Sequence, residues 1–357
     1  MLPLMRAAFI ERLGAPDEIR CAEFPDPRPG PTDVLVEVAA TTVNPVDTFV
    51  RSGVFRTPLP LPLVVGRDLV GTVREAGPGA PGFAPGDRVW CNSLGHGGRQ
   101  GAAAELAAVP ADRLYHLPPG VDTATAVAVL HPAGTAYLAL RTHARVRPGE
   151  TVLVAGAAGN VGSALVTLAV DAGARVVGTA SAGDAAYVRS LGAAEVFDYR
   201  DPDLAGRLRG ACPSGADVYV DSYGTNDLTG AVDLLAPRGR IVLLAGVAAR
   251  PVFPVGPFYM KDASVLGFVI SHATTAELAA AADTVNRLLA AGRLRPRRTE
   301  HVPLDALAEA HRRMERGELR GRRLVVRPGT RRTGPPDGGA PTAAAATGAP
   351  RAAAATE

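Results

Sequence analysis

Residues Thr151-Val152-Leu153-Val154 are β-favouring or apolar, and they run straight into the small-residue stretch Ala155-Gly156-Ala157-Ala158-Gly159-Asn160-Val161-Gly162. Apolar side chains then recur at Leu165, Val166, Leu168, Ala169 and Ala172. Together these read as a buried strand, a tight turn and a helix. Gly159 and Gly162 fall at the second and third glycine positions of a dinucleotide-binding fingerprint, with Ala157 at the first. The second glycine lets a pyrophosphate approach the backbone and the third lets helix pack closely on strand. Such an anion rests on the helix N-terminus, against the backbone of Ala157, Gly159, Asn160, Val161 and Gly162, where free N–H groups and the dipole favour negative charge.

Five more short apolar runs follow, at Arg175–Ala180, Ala194–Phe197, Asp217–Asp221, Arg240–Gly246 and Ser264–Ile270. Separated by helix-compatible or loop segments, they predict a doubly wound parallel sheet. The end of the second strand selects the coenzyme, because an acid there holds the ribose 2′-hydroxyl of NAD. Here the strand ends Gly178-Thr179-Ala180-Ser181, with no carboxylate at its tip. Ser181 can therefore donate to a 2′-phosphate, and Tyr199 with Arg200 can complete its pocket. Asp184 is expected to cap the next helix. The expected cofactor is NADPH.

The 357 residues suffice for two domains with substantial cores. Lys261 is the only lysine, and the dominance of arginine goes with abundant Ala, Gly and Pro, as a coding bias would produce. A formal net charge of +3, with no basic patch interleaved with aromatics, excludes a nucleic-acid surface. Cys21, Cys91 and Cys212 are far apart and in no metal or redox spacing, so reduced thiols of a cytoplasmic protein are expected. No N-terminal signal pattern and no apolar run of membrane-spanning length stands out, so no membrane partner is expected. Met5, where the first β pattern begins, is the more natural start.

Before the dinucleotide segment the chain is rich in β and turn signals. Candidate strands are Arg6–Glu11, Val34–Val43, Asp68–Ala76, Asp87–Cys91 and Ala104–Val109, and their spacing suggests a small barrel-like domain. A helical pair, Asp122–Leu130 and Thr135–Thr142, leads into the sheet. After it come helical patterns at Thr274–Ala291 and Leu304–Arg316 and a last strand, Arg323–Arg327, expected to return to the first domain. The resulting division is 1–124 with 271–328, 125–270, and a tail, 329–357, whose Pro-, Gly- and Ala-rich composition predicts disorder.

Several segments resemble one family: Asn44-Pro45-Val46-Asp47-Thr48-Phe49-Val50-Arg51-Ser52-Gly53, Gly82-Phe83-Ala84-Pro85-Gly86-Asp87-Arg88-Val89, Thr135-Ala136-Tyr137, Gly156 to Gly162, and Leu191-Gly192-Ala193 with Phe197-Asp198-Tyr199-Arg200. They are similar to the medium-chain dehydrogenase/reductase superfamily, and within it to the zinc-free quinone oxidoreductases of the zeta-crystallin group. The resemblance implies an α/β protein with a GroES-like β-rich catalytic domain and a Rossmann domain, NADPH, and a homodimer joined along the last Rossmann strand. It implies a cofactor site that also includes Thr135, Gly246 and Arg322, and a substrate pocket lined by Phe49, Phe55, Arg67, Ala103 and Ala133.

In zinc-dependent relatives, the catalytic ligands correspond here to Asn44, Arg67 and His131. Zinc requires thiolate, imidazole or carboxylate donors, and only His131 qualifies. No metal is therefore expected. The resemblance makes Asn44 the polar residue that meets substrate or nicotinamide ribose, and it aims His131 at the nicotinamide. His131 is either a donor to a substrate oxygen or a histidine satisfied within the cleft. Asp47 and Asp68 are expected to brace loops and to pair with Arg67 or Arg51. Phe55 stands where related enoyl-thioester reductases carry a tyrosine donor, while Ala103 and Ala133 replace rings common in the group, which predicts a widened pocket and a bulky acceptor. The leading expectation is NADPH-dependent reduction of a quinone or similar conjugated carbonyl. The alternatives are C=C reduction of an enone or enoyl substrate, and a non-catalytic NADPH-binding protein.

Overall fold

The computed structural model describes residues 3–329, so all but the first residue of the expected tail lies outside the described residues. Eight strands occupy its first third: β1 (Leu4–Ile10), β2 (Arg20–Pro25), β3 (Asp33–Thr41), β4 (Leu63–Val64), β5 (Leu69–Ala76), β6 (Arg88–Cys91), β7 (Leu106–Pro110) and β8 (Tyr115–His116). β1 pairs antiparallel with β2 and β4, and β3 pairs antiparallel with β5 and β7. Val34, Val36 and Val38 alternate inward along β3 against Val73, Val89 and Val109, the period-two burial of a half-covered sheet. β2 and β4 have no counterpart among the expected strands. One is an exposed edge with several polar residues and the other is two residues long among prolines. Helix α1 (Pro45–Ser52) starts at the pre-set φ of Pro45 and stops at Gly53, where φ is +81°.

The expected helical pair is one continuous helix. α2 (Thr123–Tyr137) runs through Pro132 and continues as a wider π turn over Leu138–His143. Pro132 lacks the N–H that would bond the Ala128 carbonyl, so that carbonyl is left open inside the helix. The buried Arg323 fills the gap, its Nε donating to Ala128 O at 2.8 Å. By length and composition alone, Thr123–His143 could cross a membrane, contrary to the expectation from sequence, but 78% of its apolar window is buried inside the protein. It is a core helix lying against the second sheet, in the cluster that contains Leu130, Leu140, Val154 and Leu165.

The second sheet comprises β9 (Thr151–Ala155), β10 (Arg175–Ala180), β11 (Glu195–Asp198), β12 (Ala216–Asp221), β13 (Leu235–Leu243) and β14 (Ser264–Gly267). All its pairings are parallel, in the order β11-β10-β9-β12-β13-β14. The intervening helices are α3 (Asn160–Asp171), α4 (Ala185–Ser190), α5 (Leu204–Ala211), α6 (Leu228–Leu234) and α7 (Val255–Tyr259). The order reverses between β9 and β12, which makes a topological switch point at the carboxyl end of β9. This is the expected doubly wound sheet, with Gly246 in the loop after β13 rather than in the strand.

α8 (Thr275–Ala290) opens with a capping box in which the Thr274 hydroxyl accepts from Glu277 N–H and the Glu277 carboxylate accepts from Thr274 N–H. After it come β15 (Thr299–Pro303), α9 (Leu307–Glu315) and β16 (Arg323–Arg327). β16 pairs with β15 and with β3, so the chain end returns to the first sheet.

Candidate active site

The first sheet brings the ends of β3 and β5 to the N-terminus of α1, and there a buried polar cluster forms. Asn44 is the N-cap residue. Its N–H donates to Asp47 Oδ2 at 2.7 Å, and its side-chain amide donates to Asp68 Oδ2 at 3.0 Å and to Asp47 Oδ2 at 3.3 Å. Its side-chain oxygen accepts from Arg323 Nη2 at 2.8 Å. The amide expected to meet substrate is thus engaged by the protein at both ends, and Asn44 organises the cluster.

Burial raises the Asp47 carboxyl to about 6, with Arg67 opposing the rise and Asp68 adding to it. Arg67 Nε lies 3.9 Å from Asp47 Oδ1, the one expected carboxylate pairing that forms. Arg51 instead donates to Gly14 O at 2.7 Å and pairs with Glu315. All three guanidinium nitrogens of Arg67 are buried without a hydrogen-bond partner among the described residues. Burial lowers the Arg67 pKa while Asp47 and Asp68 support its charge.

His131 projects from the middle of α2, with Nδ1 3.3 Å from Asp68 Oδ1 but off hydrogen-bond alignment. Thr135, one helical turn on, shares that face and is likewise almost buried. Sequence reasoning missed Arg323. Besides Ala128 and Asn44, its guanidinium reaches Val43 O at 3.3 Å, tying β16 to α2 and to the start of α1. It also missed His96, whose Nδ1 lies 3.1 Å from Leu94 O and whose Nε2 lies 3.3 Å from Ser271 O. Burial, with Arg67 nearby, holds that imidazole down at about 3.

Several of the residues expected to meet the coenzyme lie on the loops around the switch point. Gly156, not position 157, makes the sharp bend, with φ at +76°. A Cβ on Gly162 would lie 2.1 Å from Gly156 O, so glycine is required where α3 crosses the turn. α3 begins at Gly159 with no side-chain cap, leaving its first-turn N–H groups for an anion. Asn160 Nδ2 donates to Arg322 O at 3.4 Å, which places Arg322 beside this turn, but the Arg322 guanidinium donates to Glu300 at 2.8 Å. Gly246 and Gly224 bring the loops after β13 and β12 together. Ser181 follows β10, and Tyr199, half exposed, follows β11 with the Arg200 guanidinium 4.9 Å from its ring centre. Asp184 stands at the N-cap position of α4 as expected, but its side chain makes no capping hydrogen bond. Its Oδ2 accepts the Ser181 hydroxyl at 2.8 Å and its other oxygen pairs with Arg297.

Residues 30–119 match the alcohol dehydrogenase GroES-like domain and residues 160–287 match the zinc-binding dehydrogenase domain. The mouse quinone oxidoreductase is 32% identical over 315 residues, covering 86% of this chain and 93% of that protein. The chain belongs to the quinone oxidoreductase family of the medium-chain dehydrogenase/reductases. A solved NAD-dependent alcohol dehydrogenase superposes with a TM-score of 0.81 at 32% identity, covering 91% of this chain and 100% of that one. The mycobacterial Rv1454c, solved in complex with NADPH, superposes at 0.78 with 29% identity, covering 91% and 100%.

Among the described residues no group of three or more His, Cys, Asp and Glu side chains could hold a metal. The substrate side differs from expectation. Ala103 and Ala133 are fully buried within apolar clusters, so their small side chains are absorbed by packing and do not widen a cleft. Phe49 and Phe55 are partly exposed, and the Phe55 ring lies 5.8 Å from that of His272.

Proposed function

We propose that this protein is an NADPH-dependent, zinc-independent reductase of quinones and similar conjugated carbonyls. The observation that carries the reading is the uncapped start of α3 at the switch point, beside the Gly156 bend, where Asn160 bonds Arg322 O next to Arg323 of the polar cluster. The donor set suits a dinucleotide: orphan N–H groups for the pyrophosphate, Tyr199 and Arg200 at the adenosine end beside Ser181, whose hydroxyl is given to Asp184, and Thr135 on the nicotinamide side. Quinone reduction is supported by the mouse relative's activity, and NADPH by the mycobacterial complex.

When bound, the nicotinamide supplies a hydride. The chain's own residues orient the acceptor and meet the oxygen that gains charge. His131, with Asp68 Oδ1 3.3 Å from its Nδ1, is the donor in this reading. Arg67 keeps a cation close to Asp47, so the negative charge of the two buried aspartates is offset without a metal. A quinone needs little further help because its reduced oxyanion is resonance-stabilised. An enone needs a proton at carbon, and with Phe55 in place of a tyrosine that demand falls on His131.

We also propose a homodimer. β14 is a sheet edge, and Val247, Val252, Val255, Tyr259 and Met260 lie exposed in the preceding segment. Following NADPH and NADH oxidation with a quinone series and an enone series side by side tests the function. Quinone turnover with NADPH is the expected result. Turnover of enones alone would shift the reading to C=C reduction, and tight coenzyme binding with no turnover would make the protein a non-catalytic binder.

A further inference from the structure

A cleft of about 740 Å³ opens between the first turn of α2, the end of α8 and the chain around Leu294–Thr299. Its volume lies in the range of small-molecule sites. Its walls carry Arg295, Arg297, Arg298 and Arg327, with His301 beside them, against one carboxylate, Asp122. The whole chain is nearly balanced, with 38 basic and 35 acidic side chains, so this is a local concentration of charge rather than a share of a general excess.

Two of the four guanidiniums also lack a direct partner. Arg298 and Arg327 make no side-chain hydrogen bond or ion pair among the described residues, and Arg295 Nε donates only to Gly292 O, at 2.9 Å. Arg297 alone is paired, with Asp184. Asp122 is occupied by the Thr125 N–H at 2.8 Å, which holds its carboxyl below the usual range. Four guanidinium groups facing only Asp122 and Asp184 repel one another, and a multiply charged anion relieves that repulsion through paired N–H donors. Val121, Leu289 and Leu294 give the cleft an apolar floor, so it also suits a ligand with an apolar body.

We propose that this cleft is a second ligand site, taking a phosphate-bearing small molecule, separate from the coenzyme crevice and independent of the reaction assigned above. Inorganic pyrophosphate is the probe, titrated calorimetrically into the full-length protein with and without saturating NADPH. Arg298→Ala with Arg327→Ala removes two unpaired, exposed guanidiniums, so folding is preserved. Arg28→Ala with Arg56→Ala makes the same charge change elsewhere on the surface. One pyrophosphate should bind per NADPH-saturated chain, at least tenfold more weakly in the cleft variant and unchanged in the control, with NADPH affinity equal in all three. Absence of pyrophosphate binding to the saturated protein, or equal weakening in both variants, overturns the proposal. If the chain bound no NADPH, the titration without coenzyme would still read the cleft.

Discussion

Arg323 spans 2.8 Å to the side-chain oxygen of Asn44, so a buried cation on the last strand holds the cap of α1. The same guanidinium closes the carbonyl gap that Pro132 opens in α2. One side chain therefore sets the relation between α1, which carries Asp47, and the helix that carries His131.

Replacing Arg323 with Met leaves Ala128 O and Asn44 Oδ1 buried without their donor. Breaking a buried charged contact of this kind costs about 3 kcal/mol. Urea unfolding should show that loss, with Arg323→Lys recovering part of it. A loss under about 0.5 kcal/mol, the scale of an ordinary surface change, would mean that Arg323 is not structural.

Gly162→Ala places a Cβ against the Gly156 carbonyl, and neither backbone can yield cheaply. The expected cost is about 1–3 kcal/mol in stability, together with at least tenfold weaker NADPH binding. Gly183→Ala, which meets nothing within 4 Å, is the control and should bind as the unaltered protein does.

Asp184 takes the Ser181 hydroxyl, the group expected at a 2′-phosphate, and pairs with Arg297. Asp184→Ser frees them and removes a negative charge. The ratio of NADPH to NADH affinity should rise about tenfold, and an unchanged ratio would show that the 2′ position lies elsewhere.

His311, on α9, is fully buried with neither ring nitrogen partnered among the described residues, and burial, reinforced by Arg51, holds it down at about 3. An unfolded histidine titrates near 6.5, so the folded state resists protonation that the unfolded state accepts. The stability from this group is complete above about pH 6.5 and is lost as pH falls toward 3. Between pH 7 and pH 5 the unaltered protein should lose about 2 kcal/mol more than His311→Leu. Parallel acid profiles of the two proteins would contradict this.

The strand, turn and helix around Gly159 were legible because their signals are local: apolar period, small residues, glycine spacing. The polar cluster was legible only in part. Asn44 and His131 stand in recognisable motifs, but Arg323, the partner of Asn44, lies 279 residues from it and next to Arg322, the one the sequence suggested. Burial on β16 separates the two arginines, and that depends on pairing with β3, which no local pattern carries. The continuity of α2 was hidden for the same reason, since its missing hydrogen bond is supplied from 195 residues away. Ala103 and Ala133 misled because a small side chain signals space only if neighbours leave it empty.

The central claim is a nicotinamide coenzyme seated on the Gly156–Gly162 turn and used without metal. It is tested most directly by titrating NADPH into chelator-treated protein of measured zinc content, then adding a quinone. The account predicts one NADPH bound per chain and quinone-dependent NADPH oxidation in protein free of zinc. Protein that binds no NADPH, or that turns over only after zinc is restored, would contradict it.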